Sequence, residues 1–411
     1  MAGKFGAFVM KVLMLGWELP PHHAGGMGIA CYQMSKELSY HGIDIEFMLP
    51  YTAEFAIDFM KVTPTHSQSV HEVRNAGGVY DTADYGMVKN IAVGSLDLKK
   101  QHDLFAHNVA KMTESREFDI IHAHDWLTFR AGLEAKRVSG KPLVLHVHAT
   151  QYDQSGGGHG NPEVREIEYM AFMMADQIFA VSQHTKNIIV AEYGIPADKI
   201  AVVHNSMSVE TAIDESSNLH EYLKIMKNNG YKVVVNAGRK TLQKGLTHLL
   251  ESARKVVNKN PKVLFLLAGG GEQEDELIEL AAEYGLSKNV IFEGWMNGTG
   301  KPWRDSFKIA DVFVMPSVSE PFGLAALEAV GYGAPVIVSK QSGVGEVLEH
   351  CFKVDFWDSD MMADMILAIC ENDSLAQEMW RNSYKEYTSQ SWTKSAHIMR
   401  DTYRKHAGAT R

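Results

Sequence analysis

The densest concentration of chemistry in this 411-residue chain is the run Met315-Pro316-Ser317-Val318-Ser319-Glu320-Pro321-Phe322-Gly323-Leu324-Ala325-Ala326-Leu327-Glu328-Ala329. Pro321 suits the first position of a helix, so the amides of Phe322, Gly323 and Leu324 are expected in a first turn that leaves them without intrahelical partners. Glu320 precedes that turn, and Glu328 should fall about two turns along the helix. A carboxylate at a helix N-terminus is a common cap and Glu328 alone could be an exposed helix residue, but together with the glycine-rich neighbour Gly331-Tyr332-Gly333-Ala334-Pro335 the pattern is too particular for chance. A second group is Gly238-Arg239-Lys240-Thr241-Leu242-Gln243-Lys244-Gly245. Arg239 and Lys244 sit on a turn that enters a helix at Gly245, where two cations and bare helix amides can clamp a diphosphate. A third is Gly25-Gly26-Met27-Gly28, which closes a long loop and leads into a helix continuing from Ile29. Its amides suit a phosphate or a sugar. It falls short of the dinucleotide fingerprint, because Cys31 stands where the third glycine belongs and a long loop separates it from the preceding strand. No nicotinamide cofactor is expected.

Two His-x-His pairs, His122-Ala123-His124-Asp125 and His146-Val147-His148, fall at the ends of expected strands. Residues two apart on a strand share a face, so each pair points one way. Imidazole is a common zinc ligand, but such histidines also serve as core or rim residues. With no nearby Cys pair and no His-Glu-x-x-His helix, no metal is expected. His148 and Asp125 are placed to meet a substrate, since ligand crevices in open α/β sheets lie beyond the C-terminal strand ends.

These residues need strands to end beside them. Apolar runs at 12–15, 45–49, 120–122, 143–147, 178–181 and 200–203 alternate with helical patterns, and a second series follows at 233–237, 263–268, 290–293, 312–315 and 336–338. The chain therefore predicts two α/β Rossmann-like domains in series, each a mostly parallel, doubly wound sheet. The division is expected near Met207, giving 10–207 and 208–390. Residues 51–101 read as an insertion in the first domain, and 205–229 as the connection between domains. Trp392, Ala396, Met399 and Tyr403 make one apolar stripe on a terminal helix.

The Glu320/Glu328 element, the Arg239/Lys244 pair, the glycine loop and the stretch His122-Ala123-His124-Asp125-Trp126 together resemble the retaining glycosyltransferases of family 4 and the related glycogen and starch synthases of family 5, over nearly the whole chain from Met10. The resemblance implies a GT-B fold, with a cleft between the two domains and a crossing helix in 391–411 that returns to the first. It implies that Glu320 and His148 lie at the transferred sugar and that Glu328 binds the donor ribose. Arg239, Lys244, Gly26, Met27 and Gly28 would bind the donor diphosphate, and Phe322, Gly323, Leu324 and Asp125 the sugar. The implied donor is UDP-glucose, ADP-glucose or a GDP-sugar, and the acceptor a carbohydrate, with an α-glucan favoured over a small metabolite or lipid-linked acceptor. A non-catalytic sugar-nucleotide sensor is the other reading. His23-Ala24-Gly25-Gly26-Met27 stands where the synthases carry Lys-Thr-Gly-Gly-Leu, and Asn205-Ser206-Met207 replaces Asn-Gly-Val.

The totals bound the rest. A formal charge of -10 supplies no global basic field for nucleic acid or anionic lipid, so an anionic ligand must be held locally. Three widely spaced cysteines, Cys31, Cys351 and Cys370, fit free thiols in a reducing cytosol, with Cys31 a small core residue. No signal sequence or membrane span is read, so the expected location is cytoplasmic.

Overall fold

The computed structural model describes residues 9–22, 25–66, 96–207, 221–294 and 301–409. The apolar runs become strands of two wholly parallel sheets. The first comprises β1 (Met10–Leu15), β2 (Ile43–Leu49), β3 (Lys61–Pro64), β4 (Ile120–His124), β5 (Leu143–Val147), β6 (Gln177–Ala180) and β7 (Ile200–Val202), in the order β3-β2-β1-β4-β5-β6-β7. The second comprises β8 (Lys232–Ala237), β9 (Val263–Ala268), β10 (Val290–Glu293), β11 (Val312–Met315), β12 (Val336–Ser339) and β13 (Phe352–Val354), in the order β10-β9-β8-β11-β12-β13. Central strands such as β5 and β9 are buried at every position. Helices cover both faces of such a sheet, which is why these strands read as unbroken apolar runs.

Each sheet carries one edge strand that the apolar pattern misses, β3 and β13. Both are short, and each has at least one solvent-accessible position. An edge strand covered by fewer neighbours needs no apolar run to hold it, so its sequence carries little signal.

In both sheets the strand order reverses beside the first strand, between β1 and β4 and between β8 and β11. A crevice opens beyond the C-terminal ends at such a reversal. The loops that leave β1, β4, β5, β8 and β11, with the helices that follow them, carry every candidate site residue. Of the insertion expected at 51–101, residues 67–95 lie outside the described residues. So do 208–220 of the connection between the sheets.

The last helix, Trp392–Ala409, buries its stripe in the core of the first sheet, with Trp392, Ala396, Met399 and Tyr403 all within that cluster. Polar contacts fix its direction. Trp392 Nε1 donates to Gln33 Oε1 at 2.9 Å and Thr393 Oγ1 to Glu37 Oε1 at 2.6 Å, both on the helix Gly26–Tyr40. Tyr403 Oη meets His122 Nδ1 at 2.7 Å. Tyr403 is fully buried. Tyr403→Ala removes a packed ring and should destabilise the protein by about 3–5 kcal/mol, read as a lowered midpoint of chemical denaturation; a loss below about 1 kcal/mol would mean that this helix does not complete the first core.

Candidate active site

The glycine loop forms where β1 ends. The helix begins at Gly26 rather than at Ile29, so Gly26, Met27 and Gly28 make its first turn. Met27 is buried in the first core, so its part in any ligand contact is its backbone, while Gly26 is exposed. Glu18 reaches into this turn. Its Oε2 accepts from the amides of Gly25 at 2.9 Å and Gly28 at 3.3 Å, which puts a carboxylate at the positive end of the helix. A Cβ on Gly25 would lie 2.8 Å from that oxygen, so the close approach needs glycine. Sequence reading passed over Glu18, whose only signal is its place in the loop just before this helix.

Across the cleft the segment 316–323 differs from its expected form. The helix starts at Leu324 and ends at Gly331, so Pro321 does not open it. Gly323 takes φ +106, and a Cβ there would lie 2.6 Å from Met315 Cε, so residues 321–323 form an irregular turn and Glu328 stands one turn into the helix rather than two. Local sequence made proline the helix start. The packing of this turn against neighbouring loops decided otherwise. The amides of Phe322, Gly323 and Leu324 still donate to no group among the described residues. Leu324 Cδ1 comes within 4.0 Å of a Cβ built on Gly26, so the glycine loop and this turn face each other directly.

The cations stand beside them. Leu242–Lys244 forms a single 3-10 turn and Gly245, at φ +63, leads into the helix Leu246–Lys259, as the turn chemistry implied. A Cβ on Gly245 would meet the Pro316 carbonyl at 2.2 Å, which packs the cation turn onto the loop leaving β11. Lys244 Nζ donates to Glu320 Oε2 at 2.5 Å, and Ser317 Oγ donates to the same oxygen at 2.9 Å. Arg239 reaches Gln243 Oε1 at 3.2 Å. Lys240, between them in sequence, is wholly buried and ties the ends of β9 and β10 through the carbonyls of Gly269 and Glu293. Glu328 is buried and accepts from Trp303 Nε1 at 3.2 Å, a partner that sequence reading missed. Burial pushes its carboxyl up to about 8, with the indole bond opposing.

On the first domain, His122, His124, His146 and His148 form one column across β4 and β5, where His124 pairs with His146 in register. His146 and His148 stack at 4.6 Å with 7° between their planes. His148 Nε2 meets His124 Nδ1 at 3.1 Å. Burial holds His122, His124 and His146 well below the ordinary imidazole range, and neighbouring imidazoles push the same way. His148 is lowered to about 3 by burial alone. All four are neutral at pH 7. Asp125 does not open onto the cleft as its strand-end position suggested. It is fully buried at φ +55, and its Oδ1 accepts from the amides of His148 at 2.6 Å and Ala149 at 3.3 Å. That bond holds the His148 loop in place.

Several groups that hold the site across the cleft carry no motif. Ser182 Oγ donates to the Pro321 carbonyl at 2.5 Å, and Ser319 Oγ donates to Asp153 Oδ1 at 2.5 Å. Glu346 accepts from the amides of Gln183 and His184, each at 2.8 Å, and pairs with His204 at 2.8 Å. Only three-dimensional proximity reveals them, since more than a hundred residues separate each pair in sequence.

This arrangement defines the class: two Rossmann-like sheets that meet over a cleft lined by glycine loops, a cation turn and two buried carboxylates are a GT-B glycosyltransferase fold. Residues 24–211 match the family model Glycosyltransferase Family 4, and residues 222–386 match Glycosyl transferases group 1. Taken together the two account for most of the chain, which belongs to these glycosyltransferases and is an enzyme of that class. It is 28% identical to an uncharacterised glycosyltransferase of Methanocaldococcus jannaschii over 83% of each chain. It is 23% identical to the glycogen synthase of Mycobacterium tuberculosis, over 92% of this chain and 91% of that one. Its fold is similar to sucrose-phosphate synthase from Thermosynechococcus elongatus, with a TM-score of 0.75 at 18% identity over 97% and 100% of the two chains. It is also similar to Anabaena HepE solved in complex with UDP-glucose, with a TM-score of 0.69 at 20% identity over 96% and 99%. Among the described residues no helix is long and apolar enough to cross a membrane.

The Glu328 carboxyl carries a measurable signature. Its folded value, about 8, lies above its unfolded one, so its contribution to stability is fully present below the unfolded value near 4.5 and is lost as pH rises through about 8. Glu328→Gln cannot ionise, and should flatten the fall in stability over that window relative to the parent protein. Urea denaturation at a series of pH values reads this directly, and parallel profiles for the two proteins would refute the assignment.

Proposed function

We propose that this enzyme transfers a hexosyl group, foremost glucosyl, from a nucleotide-diphosphate sugar to an acceptor hydroxyl with retention of anomeric configuration. UDP-glucose or ADP-glucose is the proposed donor, with a GDP-sugar as the third choice. The donor is held mainly by residues 208–390, and the acceptor approaches from 10–207 and the returning 391–411. The observation that carries the reading is the convergence of Lys244, Glu320 and Ser317 within hydrogen-bonding distance, beside an irregular turn whose amides have no partner among the described residues. Departure of a nucleoside diphosphate leaves charge on two phosphates, and a preorganised cation close to that charge is worth most where water is excluded. Lys244 and Arg239 supply that compensation, so no metal is required. The first-turn amides of Gly26 and Met27 complete the phosphate cradle from the opposite wall. Gly28, whose amide is taken by Glu18, shapes the turn.

Within the same cleft the amides of Phe322, Gly323 and Leu324 receive sugar hydroxyls, and Glu320 sits beside the transferred ring. Glu328 accepts from the ribose hydroxyls. A bound ribose puts two donors on a carboxyl that burial now favours protonated, and binding therefore pulls it towards the ionised form. His148 keeps Nδ1 buried and without a partner among the described residues, which leaves that nitrogen to bond a sugar hydroxyl.

An α-glucan is the proposed acceptor. The His122-Ala123-His124-Asp125-Trp126 stretch and the similarity to a glycogen synthase along most of both chains support it. Lys244→Ala should lower kcat/KM by about 10²–10³, measured as nucleoside diphosphate released from UDP-, ADP- or GDP-sugars with glycogen, maltodextrin, and small or lipid-linked acceptors. Activity equal to the parent would sink the phosphate clamp. Turnover with a small phosphorylated acceptor and none with glucans would overturn the glucan assignment alone.

A further inference from the structure

We infer that Cys31, His124 and His148 form a binding site for one zinc-class divalent cation behind the sugar pocket, and that filling it inhibits sugar transfer. Sequence gave no reason to expect a thiol near these histidines, because Cys31 lies on the helix Gly26–Tyr40 and the imidazoles on or just beyond β4 and β5. Folding brings Cys31 Sγ to 3.9 Å from His148 Nε2, while His124 Nδ1 stands 3.1 Å from the same nitrogen. One ligand atom from each of the three lies within 4.8 Å of the others. A tetrahedral zinc ion with Zn–N near 2.0–2.1 Å and Zn–S near 2.3 Å separates its nitrogen ligands by about 3.3 Å and nitrogen from sulfur by about 3.6 Å. The three atoms therefore stand close to a zinc ligand set before any metal enters.

The neighbouring set His122, His124 and His146 meets the same distance limit, but geometry argues against it. All three of its rings are fully buried, and His122 Nδ1 is already engaged by Tyr403 Oη at 2.7 Å. His148, unlike those three, is only partly buried, so its set is the one of the two with a member in reach of solvent. Burial is the main influence keeping the Cys31 thiol protonated, and the carboxylates of Asp125 and Glu18, which act on it through space in the same sense, are charges that a bound cation would offset. Binding releases the Cys31 thiol proton to solvent and leaves thiolate on the metal. His124 moves its proton to Nε2 and His148 carries its own on Nδ1, two nitrogens that have no partner among the described residues. Three protein ligands leave a fourth position for water.

Inhibition rests on the transfer reading. Loss of a diphosphate builds positive charge at the anomeric carbon, and a divalent cation behind His148 opposes it through a poorly screened interior. Binding stands apart from that reading and is measured first. Cobalt(II) added to the purified full chain should bind one per chain and give the near-ultraviolet charge-transfer absorption of a thiolate ligand. Zinc should displace it with loss of that band. Cys31→Ala and the closer isostere Cys31→Ser should fold and retain transfer activity, and should weaken zinc binding at this site by more than about 100-fold, the upper end of the loss for merely supporting contacts. Cobalt binding without the thiolate band, or unchanged affinity in both variants, would overturn the site. If the band appears, zinc should suppress donor turnover of the parent in step with occupancy, a chelator should restore it, and both Cys31 variants should resist. Turnover indifferent to a filled site would overturn the inhibition and leave the site standing. A protein with no detectable transfer but a normal cobalt spectrum would count against the transfer reading and leave the metal site intact.

Discussion

The turn from Ser319 to Gly323 is gripped from both sides, and the rest of the cleft depends on that grip. Ser182, just past the end of β6, donates to the Pro321 carbonyl, and Gly343 from the second domain presses against both, since a Cβ on it would meet Pro321 O at 2.2 Å and Ser182 Cβ at 2.5 Å. No side chain fits in that space. With the turn pinned, Glu320 is held beside Lys244, and the amides of Phe322 to Leu324 have no partner among the described residues. Such amides are costly to leave unpaired in a buried setting, which is the energetic reason a polar ligand belongs there. The Asp153–Ser319 bond and the Glu346 carboxylate at the start of the helix Gln183–Tyr193 repeat the same linkage at other points, so opening the cleft breaks several charge-assisted bonds together.

The histidine column obeys a different constraint. Four imidazoles inside one sheet can coexist only uncharged, because burial and mutual repulsion both disfavour the imidazolium. Neutral rings retain lone pairs, and five ring nitrogens in the column lack a partner among the described residues. Tyr403 satisfies one end through His122, and Asp125 holds the other end by the backbone of His148 rather than by its ring. Asp125 meets that task from a left-handed backbone conformation that a side-chain-bearing residue adopts only at a cost of order 1–3 kcal/mol, which the helix it precedes and the two amide bonds must offset.

How much of this was legible in the sequence follows from what each feature depends on. The central strands were readable because a parallel sheet covered on both faces demands apolar runs, whereas β3 and β13 were hidden by the weaker demand at an edge. Arg239, Lys244 and Gly245 were readable because a turn entering a helix is a local matter, settled by glycine's access to positive φ. The start of the helix at Leu324 was misread because Pro321 is a sound local signal, overridden by contacts with Met315, Ser182 and Gly343 that sequence spacing does not reveal. Trp303 and Asp153 belong to the same class, each acting through a partner distant in sequence. Glu18 bonds amides only seven and ten residues on, but the path of its loop, which decides that contact, carries no sequence pattern.

An anionic protein that holds an anionic ligand must concentrate its cations, and the second domain does so by spending one lysine on structure and leaving another in the cleft. Lys240 is buried against two carbonyls and Glu274, so its charge is consumed within the fold. Lys244, four residues on, keeps a partly exposed side chain paired with Glu320 at 2.5 Å. Desolvating such a pair offsets much of its attraction, and the pair is therefore weak evidence for stability but strong preorganisation of charge. In the proposed reaction, a diphosphate arriving at Lys244 would meet an ammonium already oriented and already stripped of part of its water. Glu320 would then feel less of that ammonium's charge just as positive charge builds on the sugar proposed beside it, so the same ion pair that orders the empty cleft would supply the carboxylate field as the bond to the diphosphate breaks.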